Sequence, residues 1–329
     1  MSGGGAPRRK VVITSTAIPL TDDDLRAFDG LDVDVVAIDG SDRRTLLDGT
    51  RDADALIVLV ERIDREVIEN LDHCRSITRF GIGYDTVDVA AATERGIWVT
   101  NVPDANYREV AVHAIALALA VGRRLPALDA GIRRDGWTSS IAPGVHRPDT
   151  QVFGLLGLGR IGRRVAVMAK AIGYTVIAYD PVLTQRDAEE LGAGLVVQEE
   201  LIRRSDVLSL HVPLLDSTRN IIDADALASM KEGAILVNVS RGGLIDEAAL
   251  GAALRSGHLF GAGIDAFGNE PLEPGSPLRD LDSVILTPHA AHWSEESWNE
   301  TKAKVLAEAA RVLRGEAPRD PVNRPLEAA

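Results

Sequence analysis

Three polar side chains follow the ends of successive apolar runs in the second half of this chain. Arg241 stands in Asn238-Val-Ser-Arg-Gly-Gly243, Glu270 in the loop after Asp265, and His289 directly after Pro288. Together they could serve hydride transfer between a nicotinamide and a 2-hydroxy or 2-keto acid. An Arg offers a planar fork that holds a carboxylate through two hydrogen bonds, where Lys offers only a point charge. A His titrates near neutral pH and can exchange a proton with the substrate oxygen. A carboxylate beside that His favours the imidazolium and fixes its tautomer. Taken singly, each of these residues reads as a surface charge. Their placement at adjacent strand ends, where open α/β sheets bind ligands, points to chemistry.

The elements that would position them begin at Gln151-Val-Phe-Gly-Leu-Leu-Gly-Leu-Gly-Arg-Ile-Gly162, an apolar run that empties into Gly157, Gly159 and Gly162. Residues 152–156 suit a buried strand, and Ile161, Val165, Met168, Ala169 and Ile172 recur at helical spacing. A second strand, 175–179, ends at Asp180, 18 residues beyond Gly162. Such a strand-glycine-helix-strand-acid unit binds a dinucleotide. Gly157 permits the tight turn, Gly159 the approach of a pyrophosphate and Gly162 close helix packing, with Arg160 within reach of the phosphates. Asp180 would bind the adenosine ribose hydroxyls and repel a 2′-phosphate, which favours NAD over NADP. No metal is expected.

With 329 residues the chain is long for one domain, and about 100–200 residues per domain predicts two. Hydrophobic residues make up 45% and aromatics only 4%, so the interior must be mostly aliphatic, as in an α/β protein. A net charge of −13 argues against a nucleic-acid or anionic-membrane partner, so any cationic pocket must be local. Cys74 is the sole cysteine, which excludes an intrachain disulfide and suits a reducing cytoplasm. It reads as a small buried hydrophobe. The segment Met1–Lys10 reads as a disordered tail, and the apolar stretch 110–121 is too short to span a bilayer.

Along residues 10–99, β-branched runs at 11–14, 33–38, 55–60, 77–80 and 97–99 alternate with polar helical segments, with Thr21, Ser41 and Asp64 as N-caps. Strands alternating with helices imply a parallel sheet. After the fourth strand comes Gly81-Ile-Gly-Tyr-Asp85, which suits either a turn or a ring of ligand-facing amides. A helix from about Asn106 to Val121 is apolar nearly all round and so should be buried, between domains or subunits. On it, His113 reads as a satisfied core histidine. Trp137 lies on an arm suited to a dimer contact. Later strands at 195–197, 207–211, 234–239, 259–265 and 283–286 complete a second domain of about six strands, and a last helix runs from 294 to 313.

The motifs, taken together, resemble the D-isomer-specific 2-hydroxyacid dehydrogenases, the family of D-lactate, D-glycerate and D-3-phosphoglycerate dehydrogenases. Carrying the resemblance are Gly157-Leu-Gly-Arg-Ile-Gly162, Asn238-Val-Ser-Arg-Gly-Gly-Leu-Ile-Asp246, Gly263-Ile-Asp-Ala-Phe-Gly-Asn-Glu-Pro271 and Thr287-Pro-His-Ala-Ala291, with Arg79-Phe-Gly-Ile-Gly-Tyr-Asp-Thr-Val-Asp88 and Gly96-Ile-Trp-Val-Thr-Asn-Val-Pro103 upstream. The resemblance implies two Rossmann-like or flavodoxin-like parallel-sheet domains with the active site in the interdomain cleft. Residues 1–103 and 295–329 would form the substrate-binding domain, and 104–294 the NAD-binding domain. Arg241 would anchor the carboxylate, with His289 as acid/base and Glu270 as its partner. NAD contacts would fall on Gly157, Gly159, Arg160, Ile161, Gly162, Asp180, His211, Val212, Pro213, Thr218, Val239, Ser240, Arg241, Asp265 and His289, with Asp265 on the nicotinamide carboxamide. Ile82 and Gly83 would give backbone amides to the substrate. The partner implied is a small anionic 2-hydroxy or 2-keto acid, and the assembly a cytoplasmic homodimer.

Three departures bear on the substrate and its control. The family's Val-Ala-Glu-His is here Val110-Ala-Val-His113, so Val112 replaces a polar residue. Where an aromatic often follows the acid/base His by three positions, this chain has His292 and then Trp293, both candidate substrate contacts. The sequence ends at Ala329 without a C-terminal regulatory domain, so control by serine is not expected. Two rival readings share the fold: an NAD(H)-sensing protein like the C-terminal-binding-protein corepressors, suggested by Tyr179-Asp-Pro-Val-Leu183, and a dehydrogenase of another small anion such as phosphite or formate. Glu270 argues against formate, whose enzymes usually carry Gln there.

Overall fold

The computed structural model describes residues 8–137 and 144–325. It divides into two compact units, the first comprising Met1–Asn106 and Ser294–Ala329, the second Tyr107–Trp293.

In the first unit, strands β1 (Arg9–Ile13), β2 (Val33–Ala37), β3 (Ala55–Val58), β4 (Ser76–Arg79) and β5 (Trp98–Thr100) form a parallel sheet of order β2-β1-β3-β4-β5. Helices α1 (Asp22–Leu25), α2 (Arg43–Thr50), α3 (Arg65–Asn70) and α4 (Val89–Glu94) connect them. Successive strand residues point to opposite faces, and both faces are covered, so the strands are nearly continuous apolar runs. Val12, Leu56, Val58 and Ile77 pack with Leu46, Val67, Ile68 and Ala91 of the connecting helices. On the opposite face Val11, Ile13, Ala55 and Ile57 meet Val305, Leu306, Ala309 and Leu313 of the final helix, which runs Glu295–Leu313. That helix starts in a capping box at Ser294, and its buried Lys302 reaches Asp24 at 2.8 Å. The proline-containing tail then runs along β5, where the Val322 amide donates to the Val99 carbonyl.

The expected cap at Ser41 is displaced by one residue. Asp42 caps α2 by accepting from the Thr45 amide, while the Ser41 hydroxyl donates to Asp39. Both are good capping types, and the shorter local hydrogen bond claims Ser41.

Between the two halves of this unit in sequence lies the second. It opens with α5 (Tyr107–Gly122) and α6 (Leu125–Asp135). Its seven parallel strands are β6 (Val152–Leu156), β7 (Thr175–Tyr179), β8 (Gly194–Leu195), β9 (Val207–Leu210), β10 (Ala234–Asn238), β11 (Leu259–Ile264) and β12 (Val284–Leu286), in the order β12-β11-β10-β9-β6-β7-β8. The connecting helices are α7 (Arg160–Ile172), α8 (Gln185–Glu189), α9 (Gln198–Arg204), α10 (Ala224–Ser229) and α11 (Glu247–Arg255). The helix Glu295–Leu313 is then α12.

Strand β8 is shorter than its sequence suggested, because Val197 serves as the N-cap residue of α9. Helix α5 also differs from expectation. Val110, Ala111, Ala114, Ile115, Leu117, Ala118 and Val121 are buried in this unit's own core with Phe153, Val165 and Ile235, so its apolar character is used within the unit. On α5 itself Val112 is 55% exposed, and further exposed apolar residues lie on the next helix, where Leu125, Leu128 and Ile132 are 44–54% exposed, and beyond it at Trp137. No single helix among the described residues is long and apolar enough to cross a membrane.

Candidate active site

All seven strands of the second unit point the same way, so their carboxyl ends share one edge. The order reverses at β6, which pairs in parallel with β9 on one side and β7 on the other. The glycine turn leaves β6 at this switch point.

The three glycines there answer different demands. Gly157 has φ +98°, and a Cβ on it would lie 2.8 Å from the His211 backbone. A Cβ on Gly162 would sit 2.2 Å from the Gly157 carbonyl oxygen. Gly159 has φ −71° and nothing within 4 Å of a notional Cβ. The fold needs the first two as glycine, whereas at Gly159 only an external group requires the open space. Gly159 is also the N-cap of α7 and supplies no side-chain cap, so the helix presents its first N–H groups uncapped. Bare N–H groups beside an open backbone fit a dinucleotide pyrophosphate. Asp180, just past β7, accepts from the Leu158 amide at 2.9 Å and the Val182 amide at 3.0 Å, so the acid also braces the glycine turn.

Beyond β9 lie His211, Val212 and Pro213. The Thr218 hydroxyl donates to the Pro213 carbonyl at 2.7 Å and closes this loop. His211 Nε2 lies 2.9 Å from Ser209 Oγ, while its Nδ1 is buried without a hydrogen-bond partner. Burial of the ring pushes its pKa down to about 3, although the residue as a whole keeps partial exposure.

Strand β10 ends at Asn238, which is fully buried. Its side chain accepts from the Ser240 amide and donates to the Arg241 carbonyl, fixing the turn that bears Arg241. Ser240 Oγ donates to the Leu210 carbonyl, and Val239 is buried. Gly242 follows because a Cβ there would fall 1.8 Å from the Phe267 carbonyl carbon. That close approach brings the loop after β11 against the Arg241 turn. In that loop Glu270 precedes a cis Pro271 and accepts from the Phe267 amide at 3.0 Å.

His289, beyond β12, places Nδ1 2.8 Å from Glu270 Oε2 and 3.0 Å from Oε1. An ionised carboxylate only accepts, so Nδ1 carries the proton and Nε2 is the nitrogen available to a substrate oxygen. Burial pushes the Glu270 carboxyl up, but the hydrogen bonds from His289 and Phe267 and the charges of His289 and Arg241 outweigh it, leaving a net shift below the usual glutamate range. The Glu270 carboxylate is therefore ionised near neutral pH.

Arg241, Glu270 and His289 thus come together at neighbouring strand ends of one unit. His292 stands with its ring 6.3 Å from that of His289, and Trp293 is exposed. Asp265 is 1% exposed, and its oxygens accept from Thr287 Oγ1 and the Ala290 and Ala291 amides. The structure thus gives Asp265 an inward role that its position at a strand end did not disclose. Thr287 and His113 join the same network, and neither was marked by sequence as part of the site. Ile82 and Gly83 belong to the first unit, in the loop following β4. There the Ile82 carbonyl accepts from Asn101, and among the described residues no acceptor meets the Ile82 or Gly83 amide.

Residues 115–291 match the family model for the NAD-binding domain of D-isomer specific 2-hydroxyacid dehydrogenases. The chain belongs to that family, and its second unit is an NAD-binding domain. Among its relatives, D-3-phosphoglycerate dehydrogenase of Mycobacterium tuberculosis is 41% identical over 299 residues, covering 89% of this chain and 56% of that protein. This chain therefore spans about half the length of the phosphoglycerate dehydrogenases it matches. Glyoxylate reductase of Korarchaeum cryptofilum is 38% identical over 285 residues, 85% of this chain and 86% of that one. The crystal structure of a glyoxylate reductase from Paecilomyes thermophila superposes with a TM-score of 0.86 at 32% identity, covering 96% of this chain and 99% of that one.

Two outcomes follow from this geometry. Gly159→Ala should leave stability within about 1 kcal/mol of wild type in urea unfolding while weakening NADH binding, because only the cap residue changes within the fold. Gly162→Ala should lower stability itself, and equal unfolding midpoints for the two would contradict the assignment. His211 binds a proton in the unfolded chain below about pH 6.5 but in the folded protein only near pH 3. Folding stability should accordingly fall on acidification across that window, with a slope contribution approaching about 1.4 kcal/mol per pH unit. The pH dependence of urea midpoints should be shallower in His211→Gln, and an unchanged slope would argue against a buried neutral ring.

Proposed function

We propose that this chain is an NAD-dependent oxidoreductase acting between a small D-2-hydroxy acid and the corresponding 2-keto acid. The observation that carries the reading is the His289–Glu270 pair at 2.8 Å, beside Arg241 at the adjoining strand end. The Arg241 fork would hold the substrate carboxylate. Bound NADH would supply the hydride to the keto carbon. His289 would deliver its Nε2 proton to the carbonyl oxygen, or remove it in the oxidative direction. Glu270 would keep Nδ1 protonated and stabilise the imidazolium.

Gly157, Gly159, Arg160, Ile161, Gly162, Asp180, residues 211–213, Thr218 and residues 239–241 would bind the cofactor, with the Asp180 carboxylate favouring NADH over NADPH. Asp265 has one partner on Oδ2 and so keeps a lone pair for the nicotinamide carboxamide. The free amides of Ile82 and Gly83, with His292 and Trp293, are assigned to the substrate. Domain boundaries near residues 103 and 294 separate the substrate-binding and NAD-binding parts in this reading. A cytoplasmic setting belongs to it too, consistent with a buried Cys74 thiol whose pKa is pushed up to about 12 by burial.

The test is NADH oxidation with glyoxylate, pyruvate and hydroxypyruvate. His289→Ala should reduce kcat by roughly 10²- to 10⁴-fold. Arg241→Ala should raise KM for the acid by about 10- to 100-fold, the range expected for a lost charge-assisted hydrogen-bond pair. No turnover of any acid by wild type, or variants that match it, would reject the reading.

A homodimer completes the proposal. The stripe of Leu125, Leu128 and Ile132 on α6, continued by Trp137 at 89% exposure, is an apolar face left open among the described residues, and a second copy would bury it. Light scattering should give twice the chain mass for wild type and a monomer for Leu128→Asp/Ile132→Asp. A monomeric wild type would remove this part.

A further inference from the structure

The turn that carries His289 is tied to a helix outside the strand-end loops. His113 on α5 places Nε2 3.0 Å from Thr287 Oγ1, and Thr287 Oγ1 donates to Asp265 Oδ1 at 2.6 Å. The Asp265 carboxylate also accepts from the Ala290 amide at 2.8 Å and the Ala291 amide at 3.0 Å. The His289 amide donates to the Asp265 carbonyl at 2.9 Å. Proton directions follow from chemistry alone. A carboxylate donates nothing, and a threonine hydroxyl has one proton, which goes to Asp265. His113 must therefore be the donor to Thr287, which fixes its proton on Nε2.

What this chain holds is unusual backbone. His289 has φ +52°, the left-handed region that a residue with a Cβ adopts only when its surroundings impose it. The two amides after it are both bound by one carboxylate, and that carboxylate is oriented from behind by Thr287 and His113.

We infer that Thr287 and His113 are positioning residues for His289, acting through Asp265: they orient the carboxylate that pins the 289–291 backbone and so aim the imidazole at its substrate. The inference rests on the oxidoreductase reading and deepens it. Arg241 stands on a separate turn, held by Asn238, so carboxylate binding should be spared. A network with a structural role alone would change stability without separating kcat from KM.

The experiment compares Thr287→Val, which keeps the shape and removes the hydroxyl, with Thr287→Ser, which keeps the hydroxyl. With saturating NADH and whichever of glyoxylate, pyruvate or hydroxypyruvate wild type reduces fastest, Thr287→Val should lower kcat roughly 30- to 100-fold, the scale of a misplaced proton donor, with KM within about 3-fold. Thr287→Ser should return kcat to within about 3-fold of wild type. His113→Gln retains an N–H donor and should resemble wild type, whereas His113→Phe should follow Thr287→Val. Unchanged kcat in Thr287→Val, a KM rise matching the kcat fall, or a serine variant as impaired as valine would overturn the inference. If Thr287→Val does not fold, equal kcat in His113→Phe and His113→Gln does so. A second readout needs no turnover: ¹⁵N resonances of the His289 ring in the resting protein should move in Thr287→Val and not in Thr287→Ser. Should wild type reduce no keto acid, the oxidoreductase reading fails, and unmoved His289 resonances would then reject the positioning role separately.

Discussion

A sheet whose strands all run in one direction has two unlike edges, and the chemistry of this protein depends on that asymmetry. Strand interiors buried on both faces admit almost no polar side chain, so polar residues accumulate where strands end. In the second unit those ends carry Asp180, His211, Asn238, Asp265 and the turn to His289. At the switch point the chain leaves β6 for β7 on one side and β9 for β10 on the other, and the first N–H groups of α7 have no side-chain cap.

Burial at these ends creates a second constraint. A polar group cut off from water must find partners nearby, and the nearest are the amides and carbonyls of the loop that follows. Asn238 ties down the turn that bears Arg241, and Asp265 ties down the turn that bears His289. Each of these two turns is thus fastened to a buried polar residue at a strand end, Asn238 within the same turn and Asp265 on the neighbouring strand. Glu270 repeats the device on a smaller scale by accepting from the Phe267 amide of its own loop. Precision in the site comes from satisfying hydrogen bonds that the fold must satisfy anyway.

Much of this was legible in the amino-acid order. Apolar runs of four to six residues gave away the strands, because parallel strands buried on both sides leave few alternatives. The spacing of Gly157, Gly159 and Gly162 marked the glycine turn at the switch point, and the strand-end positions of Arg241, Glu270 and His289 marked the side chains that the fold gathers there. What stayed hidden depends on contacts remote in sequence. Thr287 and Asp265 are 22 residues apart and His113 is 174 from Thr287, so their joining cannot be read from local pattern. His113 on an apolar helix looked like a satisfied core histidine. It is satisfied, but by Thr287, on the turn that bears His289. Likewise the all-round apolar character of α5 could not tell burial in its own unit from burial against another.

Gly159 separates two properties that usually travel together. Its neighbours in the motif are required by the chain's own packing, so changes there would remove the protein from the cell through misfolding and degradation. At Gly159 nothing lies within 4 Å of a notional Cβ, so a methyl there would meet only the cofactor proposed for this turn. Variants at this one position would persist as intact copies whose only defect is in the pocket the turn is proposed to form. A lesion of that kind leaves a folded protein in place, where a folding lesion merely subtracts one.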